Sequence, residues 1–448
     1  MAVLLGSKNL SVIEEVVLTS SQTYTARRTG IADVICIGAG GQGGSSGKAA
    51  ATYGGMVVNA TGGGAGGYSR KRIPITAGDT FTVVVGAGGQ ANGSTLMPDA
   101  NGVKDGGAGG ESTFAHASAT ANIALDSNGG AGGVGNQTST ASGATYAGGA
   151  GGTATGGDVN FTGGRGGTIT RNNTSSGNGM FATGGGAVAI LGGGFNGGDI
   201  NFTGTSYKHS ATGGAGVGGN GGDVAYDTGS QNSTTASSGG SASGAGNGFT
   251  ADQTTSVTNG EGLTAAAKTD VVMGGGRLPS HGGNGFATNT LVYCIAGNGG
   301  TGALRAVLAG IGDSGYHSVY GGNEKPTEVI DSAAINAAGG WQDSTQAYYP
   351  QPTGPGGGGG GAAGNAYNNA NNSVIAAGNG AAFAGGGGAC SVVSNSELSN
   401  GSERISSSGR GGIGGGGSGG CILGTNASNS TNEWASGGDG VVIIQYLG

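Results

Sequence analysis

The chain has 448 residues, of which 113 are glycine, 7 are proline and 9% are charged, with a formal net charge of −7 and a sequence pI near 5.0. Glycine stands at roughly four times its usual share and charge at well under half, which excludes an ordinary globular enzyme, because glycine loses the most entropy on folding and contributes no side chain to a core. The acidic balance gives no electrostatic case for a nucleic-acid partner, and the absence of a strict Gly-X-Y period excludes collagen.

The N-terminal stretch MAVLLGSKNLSVIEE has no basic region followed by a long apolar run, and nothing in the chain approaches the roughly eighteen apolar residues of a membrane span. Neither a signal peptide nor membrane insertion is therefore expected. Residues 1–118 carry the clearest strand signals: SVIEEVVLT, DVICIG, RKRIPIT and DTFTVVVGAGG, each bounded by turn-forming residues. Phe81, Val83 and Val85 alternate onto one face. ITAGDTF predicts a hairpin with its turn at Ala77, Gly78 and Asp79, Gly78 being free to take positive φ. The basic cluster SRKR, 69–72, reads as charge at a strand end that discourages edge pairing.

Within DVICIGAGGQGG, 33–44, Gly38, Gly40 and Gly43 spell the GxGxxG of a dinucleotide-binding turn. That chemistry needs a helix immediately afterwards to carry the pyrophosphate on its N-terminus, and the glycine-free stretch that follows, 48–53, is too short for one. A phosphate-binding P-loop fails as well, since Gln42 occupies the position of its first glycine and Ala49 that of its magnesium-binding hydroxyl. No cofactor is expected.

From about 119 to 436 the sequence is glycine-rich and repetitive, with GGDVNFTGG at 156–164, GGDINFTG at 197–204 and GGDVAYDTG at 221–229. In each copy an aliphatic and an aromatic sit two apart, Val159 with Phe161, Ile200 with Phe202 and Val224 with Tyr226, so both face one side of a short strand. Asp158, Asp199 and Asp223 have the look of a calcium ladder, but the copies are not tandem at nine residues, and an Asp after two glycines more often accepts from a turn amide. No metal is expected. Order in such a region requires backbone packed on backbone, either as layered polyproline II helices or as short β-ladders.

Cys36, Cys294, Cys390 and Cys421 show no CxxC spacing and read as small buried hydrophobes. His116, His209, His281 and His317 have no carboxylate or second histidine at ligand spacing, and no GxSxG opens a helix, so no catalytic residue and no enzyme activity are expected. The final run, GGDGVVIIQYLG at 437–448, is the most apolar in the chain and follows a long region that offers it no obvious sheet. Its nearest partners are the strands before 118. The expected architecture is mainly β: a sandwich-like domain of 1–118 plus 437–448 closed by the C-terminal strand, with 119–436 as a large glycine-rich insertion.

Inside that insertion, 313–350 holds few glycines and concentrates Tyr316, His317, Tyr320, Trp341, Tyr348 and Tyr349. Aromatics offer large contact area at small entropic cost, and the tyrosine hydroxyls can bond sugars or polar protein groups, which makes these six the candidates for a receptor contact. The plainer reading of the same cluster, a local hydrophobic anchor or a subunit contact, stands ahead of the receptor reading.

SSQTYTARRTGIADVICIGAGGQGG, GGGAGGYSRKRIPITAGDTFTVVVGAGG, GGAGGESTFA and the terminal GGDGVVIIQY occur here in the order in which similar blocks recur in the glycine-rich domain of bacteriophage tail proteins, and the chain resembles that family. The GGD(I/V)NFTGG units are also similar to it. The resemblance covers both ends and extends to the middle through composition and repeats; as a departure from the family, no appended fibre shaft or peptidase domain is expected from these 448 residues. It implies a virion tail or tail-fibre component, in contact with other tail proteins, forming a homo-oligomer of which the trimer is the common form. Attachment to a host-surface glycan or protein is the frequent role. Two alternatives stand beside it: a purely structural tail protein, and a glycine-rich bacterial surface protein, which wants a secretion signal or a helical N-terminal domain.

Overall fold

The computed structural model describes residues 12–49, 57–90, 102–117, 123–138, 143–171, 179–190, 194–202, 208–216, 219–226, 384–394, 404–424 and 435–448, together with residue 380 and isolated strand segments between 234 and 433. Every regular element among them is a β-strand. The fold is mainly β.

Among the described residues, two antiparallel sheets of five strands each pack face to face. The first runs in the order Val12–Leu18, Val441–Leu447, Gly30–Ile37, Tyr68–Ile75, Val159–Phe161, and the second in the order Ala154–Thr155, Ala124–Ser127, Ser112–His116, Thr80–Val84, Gln22–Thr25. Alternation sends Val34, Cys36, Ile73, Ile75, Val442, Ile444 and Tyr446 of the first onto Tyr24, Phe81, Val83, Phe114 and Leu125 of the second, giving one apolar core. Phe81 stacks on Phe114 at 4.6 Å, and the Tyr24 and Tyr446 hydroxyls bond across the core at 2.7 Å. On the opposite face of the first sheet, Ile35, Ile37, Tyr68, Val441 and Ile443 cover Val188 and Ala384. With both faces buried, the C-terminal strand reads as a continuous apolar run. It lies between Val12–Leu18 and Gly30–Ile37.

These sheets draw strands from both sides of residue 118. Ala124–Ser127, Ala154–Thr155 and Val159–Phe161 join them, while Ser45–Ala49, Val57–Ala60 and Gly102–Lys104 belong elsewhere. The expected hairpin at 75–80 is not one. Its turn forms as read, with Gly78 at φ 96° and Asp79 donating its N–H to Thr76 O, but Tyr68–Ile75 stays in the first sheet and Thr80–Val84 enters the second. The turn is a corner between sheets, held by Ala26, which accepts from Gly78 N–H and donates to Asp79 O. SRKR lies where the strand Tyr68–Ile75 becomes an edge: Val159–Phe161 covers only Tyr68–Arg70, so Lys71 and Arg72 have no strand partner on that side among the described residues, and alternation places Arg70 and Arg72 beside Asp33 of the adjacent strand, whose carboxylate accepts from both guanidinium groups.

Glycine runs leave these sheets as bundled extended chains. In 38–44, Gly38, Gly41 and Gly44 donate to Gly67, Gly64 and Thr61; Ala39 and Gln42 donate to Gly110 and Gly107; Gly40 and Gly43 donate to Gly438 and Ala435. Every third N–H thus meets the same neighbour, and successive ones turn to three different neighbours, which is the three-residue repeat of polyproline II. Runs 61–67, 128–134, 147–153, 162–168 and 183–189 continue the scheme. The chain is buried along 38–44, and a Cβ at Gly40 or Gly43 would overlap the carbonyl group of Gly415 or Ser418. The GxGxxG glycines are there to let backbones touch.

Further sheets form at the far end of the runs. Val57–Ala60, Gly179–Ala182, Lys208–Ala211 and Tyr293–Ala296 pair in parallel and in register, so that the repeated ATGG sequences at 60–63, 182–185 and 211–214 stack. Gly62 N–H donates to Thr183 Oγ1, which donates to Gly167 O; Gly184 N–H donates to Thr212 Oγ1, which donates to Gly198 O. A second parallel stack joins Ile169–Arg171, Ile200–Phe202 and Val224–Tyr226. The aspartates that precede these strands serve backbone amides: Asp199 accepts from Thr168 N–H and Asp223 from Asp199 N–H, each at 2.7 Å, while Asp158 accepts from Arg72 N–H at 3.0 Å.

Candidate functional site

Tracing the runs defines two ends. Run 38–44 leaves Gly30–Ile37 and reaches Ser45–Ala49; run 61–67 returns from Val57–Ala60 to Tyr68–Ile75; runs 128–134 and 162–168 repeat the outward path and 147–153 the return. The two sheets that hold the chain ends therefore lie at one end of the lattice. At the other is a rim where Ser45–Ala49, Ile169–Arg171, Ile200–Phe202, Lys208–Ala211 and their paired neighbours occur.

Of the six aromatic and histidine candidates, Trp341 falls on a described strand, Gly340–Asp343, where it pairs opposite Ala376 of Ser373–Ala377. Tyr316, His317, Tyr320, Tyr348 and Tyr349 lie outside the described residues. The strand that holds Trp341 belongs to the sheet Gly340–Asp343, Ser373–Ala377, Arg404–Ser407, Ser430–Glu433, and the last of these precedes the run 435–440 that leads back to Val441–Leu447. Of the other histidines, His116 sets its ring edge-on to Phe81 at 5.1 Å, and His209 pairs between Met180 and Cys294. Burial pushes the Cys36 thiol up to about 12, and the thiol donates to Ser112 O, a packed and unreactive arrangement. Among the described residues no cluster of three or more metal-ligating side chains occurs.

One rim residue escaped the sequence reading. Arg171 ends the strand Ile169–Arg171 and is 2% exposed. It pairs opposite Ala144 on one side and Phe202 on the other, and its guanidinium lies 5.9 Å from the ring of Phe181 in the neighbouring sheet. Ile169, Phe181, Ile200 and Phe202 form the apolar cluster beneath it, with Tyr146 against them. Nε and Nη1 of Arg171 are buried without a hydrogen-bond partner. By contrast, the nearby Arg165 is fully engaged, bonding both carboxylate oxygens of Asp199 at 2.7 and 2.6 Å. Nothing in TITR distinguishes Arg171 from a solvated strand-end charge, so the sequence offered no signal for it.

No protein-family model and no curated protein matches the chain.

Proposed function

We propose that this protein is a bacteriophage tail or tail-fibre component that attaches the virion to its host, with the rim of the glycine lattice turned outward. The observation that carries the reading is the path of the chain. Trp341 lies on Gly340–Asp343, in a sheet whose last strand, Ser430–Glu433, precedes the run 435–440 that leads back to Val441–Leu447, which sets that sheet at the rim, while Val12–Leu18 and Val441–Leu447 lie in a sheet at the opposite end of the lattice. A rigid frame that presents an aromatic-bearing strand at one end suits recognition, because binding residues gain from support that does not itself move. The resemblance of the end blocks to phage tail glycine-rich domains supports the same reading.

The test is adsorption by particles carrying Trp341→Ala, Tyr348→Ala and Tyr349→Ala together. Contact aromatics commonly contribute about 2 kcal/mol each, so even if only two of the three touch the receptor their loss weakens a single contact by roughly a thousandfold. Assembled particles that adsorb poorly support attachment. Normal adsorption removes this segment from the receptor contact, and failure to assemble makes the protein a structural tail component whose aromatics pack against its neighbours.

A further inference from the structure

The open edges of the two face-to-face sheets are not alike. An unpaired strand edge invites pairing with another chain, and proteins blunt it with short strands, Lys, Pro or bulges. In the second sheet the edge strands Gln22–Thr25 and Ala154–Thr155 are four and two residues long. In the first, Val159–Phe161 has three residues, and the part of Tyr68–Ile75 that it leaves open carries Lys71, Arg72 and Pro74. The opposite edge of that sheet, Val12–Leu18, has seven residues and neither Lys nor Pro, and no strand covers its outer side among the described residues. Its apolar side chains lie open, Val12 and Val17 at 44% exposure and Ile13 at 54%. Its two charges are turned back into the chain, Glu14 onto Arg27 and Arg28 and Glu15 onto the Gln445 amide. The one bulge falls between Val12 and Glu14 and leaves 14–18 regular.

We propose that Val12–Leu18 is the interface with a second copy of this chain, the two strands pairing antiparallel about a two-fold axis at Val16 so that the first sheets of both copies join edge to edge. The same strand is the partner that fits. Leu18 is buried in the core and Val16 is half-buried at its open margin, so carrying that core across the axis needs apolar residues on the inner side of the incoming strand, which Val16 and Leu18 of the other copy supply. With Val16 on the axis, Glu14 faces Leu18 and Glu15 faces Val17 of the other copy, and no like charges oppose. An axis at Glu15 would instead set two carboxylates against each other. Because the pairing is antiparallel, the two lattices leave the joint sheet in opposite directions and both rims stay uncovered, so this inference stands whether or not the rim contacts a host.

The experiment is sedimentation equilibrium of the purified full chain across the micromolar range, where the wild type should approach twice the 41.9 kDa of the chain. Val17→Glu sets a carboxylate against Glu15 of the other copy on both sides of the axis and should weaken the dimer by about tenfold, while the single chain, in which Val17 is exposed, unfolds as before. Val17→Lys meets the same Glu15 with opposite charge and should tighten the dimer by about fivefold. Adding Glu15→Lys to Val17→Glu places opposite charges across the axis again and should restore pairing. A mere loss of apolar surface would weaken the dimer with either charge, so opposite responses to Lys and Glu read the register itself. The proposal fails if the wild type sediments as a single chain throughout, which would leave the edge to a strand of another protein. It fails equally if Val17→Glu and Val17→Lys act alike, or if the double variant folds and stays single.

Discussion

Asp33 shows how a charged residue comes to lie inside a strand that is otherwise apolar. Burial pushes its carboxyl up, but hydrogen bonds from Arg72 and Arg70 outweigh that and hold its pKa below the ordinary value. A carboxylate whose folded pKa is depressed contributes stability that is complete above its unfolded pKa of about 4 and is lost as pH falls through the folded value. Asp33→Asn should therefore cost about 1–2 kcal/mol at neutral pH, the partly exposed arginines recovering some of the loss through water. Denaturant titrations should show the mutant and wild type converging in acid; a constant gap down to the lowest pH would mean that the carboxylate's ionisation is irrelevant. The ion pair was not legible in the sequence, because SRKR and DVICIG are separated by about thirty residues and only sheet register sets Asp33 opposite Arg72. Arg171 was hidden for the same reason. Its meaning depends on which side chains fail to reach it.

At the scale of the element, the glycine runs separate two uses of one residue type. Gly78 takes φ 96° at a corner with no atom within 4 Å of a Cβ, so Gly78→Ala meets backbone strain alone and should cost about 1 kcal/mol. Gly40 has its N–H bonded to Gly438 O and its Cα hydrogen against Gly415, so Gly40→Ala must push two packed backbones apart. The expected cost is several times larger, about 3 kcal/mol or more, read as a drop in unfolding midpoint, and near-equal costs at the two sites would argue against lattice packing at Gly40. Composition made backbone packing legible, since so much glycine leaves little else to pack. It did not reveal the partners. The repeated ATGG at 60, 182 and 211 was present in the sequence but passed unnoticed beside the longer GGD units, because its significance lies in Thr183 and Thr212 bridging one layer to the next. The corner at Gly78 was legible as a turn and misleading as a hairpin: local chemistry specifies the reversal, whereas Ala26, about fifty residues earlier, directs the outgoing strand into the other sheet.

For the whole molecule, the controlling feature is that the last strand made is an inner strand of the first sheet. Val441–Leu447 separates Val12–Leu18 from Gly30–Ile37, gives Val442, Ile444 and Tyr446 to the core between the sheets, and gives Val441 and Ile443 to the cluster that caps the lattice turns. The run just before it is equally embedded: Gly438 accepts from Gly40 N–H and donates to Gly415 O, and Gly440 donates to Gly86 O. Neither the sheet nor the lattice can close until the C-terminus arrives, and contacts spanning nearly the whole sequence are expected to make that step slow. A chain lacking residues 441–448 should therefore present two unpaired strand edges and two uncovered apolar faces, and should elute as aggregate on size exclusion. Because truncation could also fail for unrelated reasons, the decisive arm adds the missing strand back. A soluble peptide of residues 435–448, present during refolding of the truncated chain, should restore a monodisperse species and its cooperative unfolding, whereas a peptide with Ile443 and Ile444 both changed to Asp should not. A truncated chain that stays monodisperse without peptide would show that the sheet closes without its inner strand.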